Sequence, residues 1–337
     1  MPGFDFLSPQ IVLSAVEAAF GMELQSVVTP FPSYVNRVFG INDAEGTPYV
    51  VKFYRPGRWS REALLEEHRF LEELAREELP VVQPLKDVDG DTLAEVLLER
   101  GNPDEADIHF HFALFPKRSG RLFDAEGDEA WLRIGALCGH MHSIGSQAEA
   151  VHRQHVSPEK STSEHIEYLL KEGVIPSDML SDFSVITDRA LSLIAPVFQN
   201  IPFIRLHGDL HRGNILDRGD EGLLLIDLDD MSTGPAMQDL WLLMPERYGK
   251  VGKEMSLLAE GYENFRPFPW NQTALMEPLR FMRMIHFIAW CGRQRRDRDF
   301  STHFPGWGDR SWWIQELEDL RDQVSVIESG LNQVPVL

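Results

Sequence analysis

Residues 203–230, FIRLHGDLHRGNILDRGDEGLLLIDLDD, constrain this chain more than any other stretch. An apolar run enters a tight polar loop holding Asp209, His211 and Asn214. A turn with Gly219 and Gly222 follows, and a short apolar strand, 223–226, ends in Asp227, Asp229 and Asp230. Carboxylates delivered directly after a buried strand stand at a cleft rim, fixed by the sheet and open to solvent. An Asp, an Asn five residues later and a second Asp beyond a hairpin form the set that phosphoryl transfer requires. One carboxylate orients and deprotonates a hydroxyl, while an amide and another carboxylate hold magnesium against phosphates. Asp209 and Asp227 are therefore the expected catalytic carboxylates, Asp209 for the acceptor hydroxyl and Asp227 as principal Mg²⁺ ligand beside Asn214. Asp229 is a candidate second ligand, and Asp230 a cap or network residue. His211 is expected to brace the loop, and Asp239 to anchor it from the start of a following helix. Loop capping alone accounts for any one of these residues taken singly.

Phosphoryl transfer needs a cation on the nucleotide, and the run TPYVVKFYRP, 47–56, offers Lys52 within a β-branched and aromatic strand. A lysine there must pair or reach a cleft, because burying it alone is costly. Fifteen residues on, Glu67 lies in REALLEEHRFLEEL, 61–74, whose apolar face predicts a helix. A strand lysine paired with a helix glutamate is the kinase device for gripping the α and β phosphates. The polar loop 33–36 between two predicted strands could cover phosphates through its backbone and the Ser33 hydroxyl, and a plain hairpin turn fits as well. The apolar strand FHFALFP, 110–116, ends in proline before KRSGR. It is a candidate linker between two lobes, with adenine against Phe112, Leu114 and Phe115. Further strands are expected at 25–29, 79–84 and 92–98, and the acidic stretch 87–107 is expected to form solvated turns.

The second half reads as helical, with amphipathic patterns at 129–144, 182–198, 254–265, 273–291 and 311–328. His140, His142 and His152 do not converge on metal-ligand spacing, and capping or packing explains them. Arg280 and Arg283 lie i, i+3 in an apolar helix, and Arg293, Arg295, Arg296 and Arg298 follow it. That cluster either offsets a helix end and nearby acids or attracts an acidic segment. The loop 304–313, rich in Trp and Gly, packs over helices or lines an acceptor cleft.

Composition narrows the partners. At 337 residues the chain can bury a large core and form two lobes. A charge of −21, from 53 acidic against 32 basic residues, repels nucleic acid and anionic membrane. No apolar run reaches membrane-spanning length, the first residues lack a secretory pattern, and only Cys138 and Cys291 are present. A cytoplasmic monomer is expected.

These motifs together resemble the choline kinase and aminoglycoside phosphotransferase superfamily. The resemblance rests on LHGDLHRGNIL (206–216), IDLDD (226–230), GPAMQDL (234–240), FPSYVNRVF (31–39), VVKFYRPGRW (50–59) and LLEEHRF (64–70), and spans nearly the whole chain. It implies a bilobal, protein-kinase-like α+β fold. A strand-rich nucleotide-covering lobe is expected over 1–115 and a helical lobe with the catalytic and magnesium loops over 116–337. It implies ATP as co-substrate, Mg²⁺, Asp209 as proton acceptor, Asn214 and Asp227 as metal ligands, Ser33 in the covering loop, and Lys52 with Glu67 as the phosphate anchor. Within the superfamily the pattern is similar to bacterial stress-response kinases that phosphorylate protein serine and threonine and autophosphorylate. Other members phosphorylate amino alcohols, sugars and antibiotics. No Gly-x-Gly-x-x-Gly loop, Asp-Phe-Gly segment or Ala-Pro-Glu boundary is present, which removes the usual peptide platform. Protein hydroxyls are the first expectation and a small-molecule hydroxyl the alternative.

Overall fold

The computed structural model describes residues 4–99, 107–247 and 250–331. Part of the acidic stretch expected as turns, 100–106, and the tail beyond 331 lie outside them. A first helix, α1 (Pro9–Phe20), is capped by Ser8, whose hydroxyl accepts from Ile11 N, and stops at Gly21 in left-handed geometry. Five antiparallel strands follow: β1 (Thr29–Phe31), β2 (Arg37–Asn42), β3 (Pro48–Phe53), β4 (Ala94–Leu98) and β5 (Ile108–Pro116). They pair in the order β1-β2-β3-β5-β4, and α2 (Arg61–Arg76) lies between β3 and β4 in sequence.

Alternation along these strands decides which residues reach the cleft. Val51, Phe53, Phe110, Phe112 and Leu114 point to the face packed with Val12 and Val16 of α1. The opposite face groups Tyr54, Ala113 and Phe115 with Leu64, Leu65 and Trp59. Lys52 pairs in register with Val38 and Ala113, and so belongs to this second face.

Two expected strands take another form. The first begins at Thr29 rather than Gln25, after a bridge of Leu24 to Asp43. Residues 79–84 form no strand; Val81 makes a single bridge to Leu225. Pro80 and Pro84 bring no N–H donors, so a ladder cannot propagate there.

The second lobe opens with β6 (Arg121–Leu122) and α3 (Asp128–Gly145), then α4 (Ser163–Lys171) and α5 (Leu180–Ile194). Short strands carry the central loops: β7 (Phe203–Leu206), β8 (Ile215–Asp217), β9 (Leu223–Leu225) and β10 (Ser232–Pro235). The remaining helices are α6 (Met237–Leu243), α7 (Gly252–Tyr262), α8 (Met276–Gln294), α9 (Phe300–His303) and α10 (Arg310–Leu331). One large core joins them, with Trp313, Tyr262, Phe281 and Phe183 fully buried. No helix among the described residues is long and apolar enough to cross a membrane.

The lobes are clasped near the β1–β2 loop. Arg55, buried just after β3, donates Nε to Val35 O at 2.8 Å and Nη2 to Tyr34 O at 3.0 Å. Its Nη1 donates to Asp297 Oδ2 at 2.7 Å and to Gln294 Oε1, both at the end of α8. Tyr34 inserts edge-on against Trp290, His303 and Phe304. Burial and the Asp297 carboxylate push its phenol up to about 12, so it remains a donor at neutral pH.

Helices α3 and α7 meet backbone to backbone through glycine. A Cβ on Gly261 would stand 2.0 Å from Leu132 O, and one on Gly135 2.1 Å from Leu258 O. Gly261→Ala must force these helices apart, and we expect a loss of about 1–3 kcal/mol in urea unfolding.

Candidate active site

Asp239, in the first turn of α6, holds the catalytic-type loop in place. Its Oδ2 accepts from His207 N and its Oδ1 from Gly208 N, each at 2.9 Å. His142 Nε2 lies 3.1 Å from the same carboxylate, and Tyr262 OH meets His142 Nδ1 at 3.0 Å. Asp239 and His142 are wholly buried. The expected anchoring role of Asp239 and packing role of His142 are therefore realised in one network. His207 Nε2 lies 3.0 Å from Ile226 O, tying the loop to the strand end before Asp227. Gly208 has φ +87°, and a Cβ there would fall 1.8 Å from Asp230 O, so the two acidic segments close on each other only through glycine.

Asp209 stands at the loop apex, with Arg283 Nη2 of α8 2.7 Å from its Oδ1. His211 Nε2 is 3.6 Å from Asp209 Oδ2 and its side chain is half exposed, so the loop is braced by Asp239 and His207 rather than by His211. Asn214 donates Nδ2 to Asp209 O at 2.9 Å, and its backbone carbonyl accepts from Ile226 N at 3.1 Å. Asn214 is thereby locked beside the Asp227 segment with its amide oxygen unused by these bonds. Asp227 adopts left-handed φ 59°, ψ 63°, an uncommon conformation for a non-glycine residue that recurs where geometry serves a site. Its carboxylate is 56% exposed and touches Lys52 Nζ through Oδ1 alone, at 3.0 Å.

Lys52 reaches both strand-end acids, with Asp229 Oδ1 at 3.1 Å. Burial disfavours its charge, but Asp227, Asp229 and Glu67 raise its pKa well above the ordinary lysine range. Glu67 is not within ion-pair distance of Lys52, contrary to the expected pair. It binds Arg153, whose Nη2 lies 2.9 Å from Glu67 Oε2. Arg153 also donates Nη1 to Asp229 O at 2.7 Å and Nε to Ala63 O at 2.8 Å, over the Trp59 ring. Glu66 turns to the loop after α3, accepting from Val151 N and His152 N.

Asp229 is also placed otherwise than a second metal ligand requires. It is 3% exposed and held between Lys52 and Arg58. Burial raises its pKa, yet Lys52, Arg58 and Arg153 outweigh burial and keep the carboxyl well below the usual range. Asp230 takes the other Arg58 nitrogen, as a network residue. Phe112 and Leu114 are corrected too, because they face α1 on the side away from Lys52, and Phe112 stacks on Phe53 at 4.9 Å. Of the three expected adenine contacts only Phe115 shares the Lys52 face, with Ala113. Ser33 lies in the β1–β2 loop, its carbonyl accepting from Arg37.

Arg153, Arg58 and Arg283 escaped the sequence reading. In the sequence Arg58 stands only within a motif and Arg283 as half of an i, i+3 pair, and Arg153 is far from its partners. Of the arginines at the end of α8 and just beyond it, Arg295 is spent on Tyr168 OH, Glu172 O and Gly292 O, and Arg293 on His165 and the Tyr168 ring. Structural offset, rather than attraction of an acidic segment, accounts for these two.

No group of three or more His, Cys, Asp or Glu among the described residues could hold a metal unaided. An accessible carboxylate beside an oriented amide still fits Mg²⁺, which binds through one or two carboxylates plus phosphates and water.

A cavity of about 550 Å³ adjoins Asp209. Val35 and Arg58 of the first lobe and Trp241, Arg280, Arg283 and Trp290 of the second are among its walls.

A bilobal fold with a lysine on strand-end aspartates and an Asp-Asn loop beneath defines a kinase-like phosphotransferase. The chain belongs to the phosphotransferase enzyme family, whose model matches residues 27–272. It is 33% identical over 326 residues to stress response kinase A of Escherichia coli (strain K12), covering 96% of this chain and 95% of that protein. It is also 33% identical over 335 residues to the serine/threonine protein kinase RdoA of Salmonella typhimurium (strain LT2), covering 99% and 98%. Among solved structures, amicoumacin kinase hAmiN with AMP-PNP, Ca²⁺ and Ami superposes with a TM-score of 0.71 at 18% identity, covering 93% of each chain.

Glu316 on the cavity wall is pushed up to about 7, first by burial and then by Asp319. Its folded pKa exceeds its unfolded one, so stability declines as pH rises from about 4.5 to 7 and stays lower above that window. Glu316→Gln should melt at a higher temperature than the parent at pH 8 and at nearly the same temperature at pH 4.5. Equal melting temperatures at pH 8 would contradict the burial effect.

Proposed function

We propose that this phosphotransferase moves the ATP γ-phosphate to a hydroxyl of a small molecule. The cavity carries this reading: it adjoins Asp209, is walled by both lobes, and has a volume of about 550 Å³, within the ordinary range for small-ligand sites. The absence of an Ala-Pro-Glu-bounded loop, which would support a peptide, agrees with it.

In this mechanism the adenine lies on the Ala113 and Phe115 face, and the Ser33 loop covers the phosphates. Lys52 leaves the aspartates for phosphate oxygens. Asn214 and Asp227 would hold Mg²⁺, which when bound would offset phosphate charge. Asp209 accepts a hydrogen bond from the acceptor hydroxyl and aligns it with the γ-phosphorus. The acceptor O–P bond forms as the bond to the β,γ-bridging oxygen breaks; the hydroxyl proton passes to Asp209 and ADP leaves. Arg283 holds the Asp209 carboxylate so that one oxygen remains for the acceptor.

A protein serine/threonine kinase acting in stress response, with autophosphorylation, is the second reading. Its support is the name of the Salmonella relative, a serine/threonine protein kinase, at 33% identity over nearly the full chain.

Purified full chain, γ-labelled ATP and Mg²⁺ should label a member of a hydroxyl-metabolite panel and leave a generic protein acceptor and the chain itself unlabelled. Label confined to protein would overturn the small-molecule reading in favour of the second. Asp209→Asn should lower turnover by about a thousandfold with nucleotide affinity nearly kept, because the lost proton acceptor acts only in transfer. Asp227→Asn should weaken Mg²⁺-dependent nucleotide binding, read by calorimetry with and without the metal.

A further inference from the structure

Guanidinium groups converge on the acceptor cavity of a chain whose net charge is −21. Arg280 and Arg283 stand one turn apart on α8, where i, i+3 side chains are neighbours about 5–6 Å apart at Cβ. Both line the cavity wall. Arg280 stacks over Trp241 at 4.8 Å, and its Nε lies 3.3 Å from Glu277 Oε2 without a well-formed hydrogen bond. That oxygen already serves Arg247 at 2.9 Å and Gln323 Nε2 at 2.8 Å. One carboxylate thus faces two guanidiniums, and no acceptor among the described residues hydrogen-bonds either terminal nitrogen of Arg280. Arg283 commits one Nη to Asp209 and keeps the rest of its fork.

Three carboxylates, Asp209, Asp230 and Glu316, stand against the three guanidiniums of the wall, and their pairing leaves Arg280 without a carboxylate of its own on the cavity wall. Asp209 is held by Arg283, and Asp230 by Arg58. Glu316 is pushed up to about 7 by burial and Asp319, so only part of it is neutral at physiological pH. His165 and His286 touch at 3.1 Å, and burial takes both down to about 3, with Arg293 and Arg283 adding to the effect on His286. The histidine pair is therefore uncharged and offers hydrogen bonds without competing for an anion.

We propose that the acceptor is a small hydroxyl compound carrying a carboxylate or phosphate, with its anion gripped by Arg280 and Arg283 and its hydroxyl at Asp209. This rests on the small-molecule kinase reading. A planar fork suits bidentate recognition of either anion. Because Arg283 also contacts Asp209, an anion on its free edge sets the hydroxyl only a few bonds away from that group. Short hydroxy acids and hydroxyalkyl phosphates meet this spacing. A choline-like cation would meet guanidiniums instead of a carboxylate cage.

The test is calorimetry on the full chain saturated with Mg²⁺ and a non-hydrolysable ATP analogue, which fills the Lys52 phosphate site. D-Glycerate and glycerol 3-phosphate are titrated against glycerol and choline. At least one of the two anions should bind saturably, and glycerol and choline should bind at least about tenfold more weakly, since charge-assisted hydrogen bonds are missing. Arg280→Gln should weaken the anion at least about tenfold, and Arg280→Lys should restore part of the loss. Thermal melting of each variant identifies one that has not folded, in which case the anion-over-choline preference of the parent decides alone. Choline bound in preference to both anions, no binding of either anion, or undiminished anion binding by folded Arg280→Gln overturns the proposal. Failure of the parent reading looks different: the Mg²⁺–nucleotide analogue does not bind in the first titration, or label from ATP reaches protein alone.

Discussion

The buried charge network beneath the sheet is the constraint on which the site depends. Lys52, Glu67, Arg153 and Asp229 are each less than a tenth exposed, and they come from a strand, a helix, an irregular loop and a strand end. Burying such groups is costly unless each has a partner, and removing one partner commonly costs about 3–5 kcal/mol. The network therefore acts less as a source of net stability than as a demand that four segments adopt one arrangement. Arg153 is its hub. It occupies the Glu67 carboxylate, and Lys52 is left on Asp227 and Asp229. A nucleotide then competes for a lysine already charged and already directed at the cleft.

A second constraint acts from the loop side. Arg55 uses its backbone N–H and all three guanidinium nitrogens to bind Asn36, Val35, Tyr34 and the end of α8. The β1–β2 loop has no glycine cluster to wrap phosphates closely, and it is held instead by this clasp and by the Tyr34 ring among Trp290, His303 and Phe304. Helix α8 consequently serves both lobes: its end and the residues just beyond it secure the β1–β2 loop, and its middle presents Arg280 and Arg283 to the cavity beside Asp209.

What the chain reveals before folding follows from how locally each feature is encoded. The grouping of Asp209, Asn214 and Asp227 was legible because all three lie within one segment, and the anchoring place of Asp239 because it follows on the next helix. Lys52 was legible because a lysine in an apolar strand has few outlets. The error at Phe112 and Leu114 came from reading a strand as a composition instead of applying its period of two, which sends them to α1 and leaves Ala113 and Phe115 with Lys52. The Glu67 error has a different origin. Position on α2 was read correctly, but a competing cation, Arg153, lies 86 residues away in sequence, and no local pattern announces such a pair. Asp229 repeats the lesson, since spacing brings a carboxylate to the strand end and only the fold reveals that Lys52 and Arg58 have enclosed it.

On the proposed function, transfer chemistry and acceptor choice are written in different parts of the molecule. The proposed transfer groups sit on a loop whose backbone donors are fixed by one fully buried carboxylate, Asp239, and whose approach to the opposing loop tolerates only glycine at 208. Little variation is possible there without loss of geometry. Part of the cavity wall, with Arg280, Arg283 and Trp290, is made of side chains on α8, a regular helix whose surface residues can change without moving its backbone. Replacing a guanidinium on such a face with a carboxylate reverses the local field and leaves the positions of Asp209 and Asn214 intact. On the proposed function, a common fold can then serve acceptors of opposite charge, and the sign of charge on α8 becomes a guide to substrate.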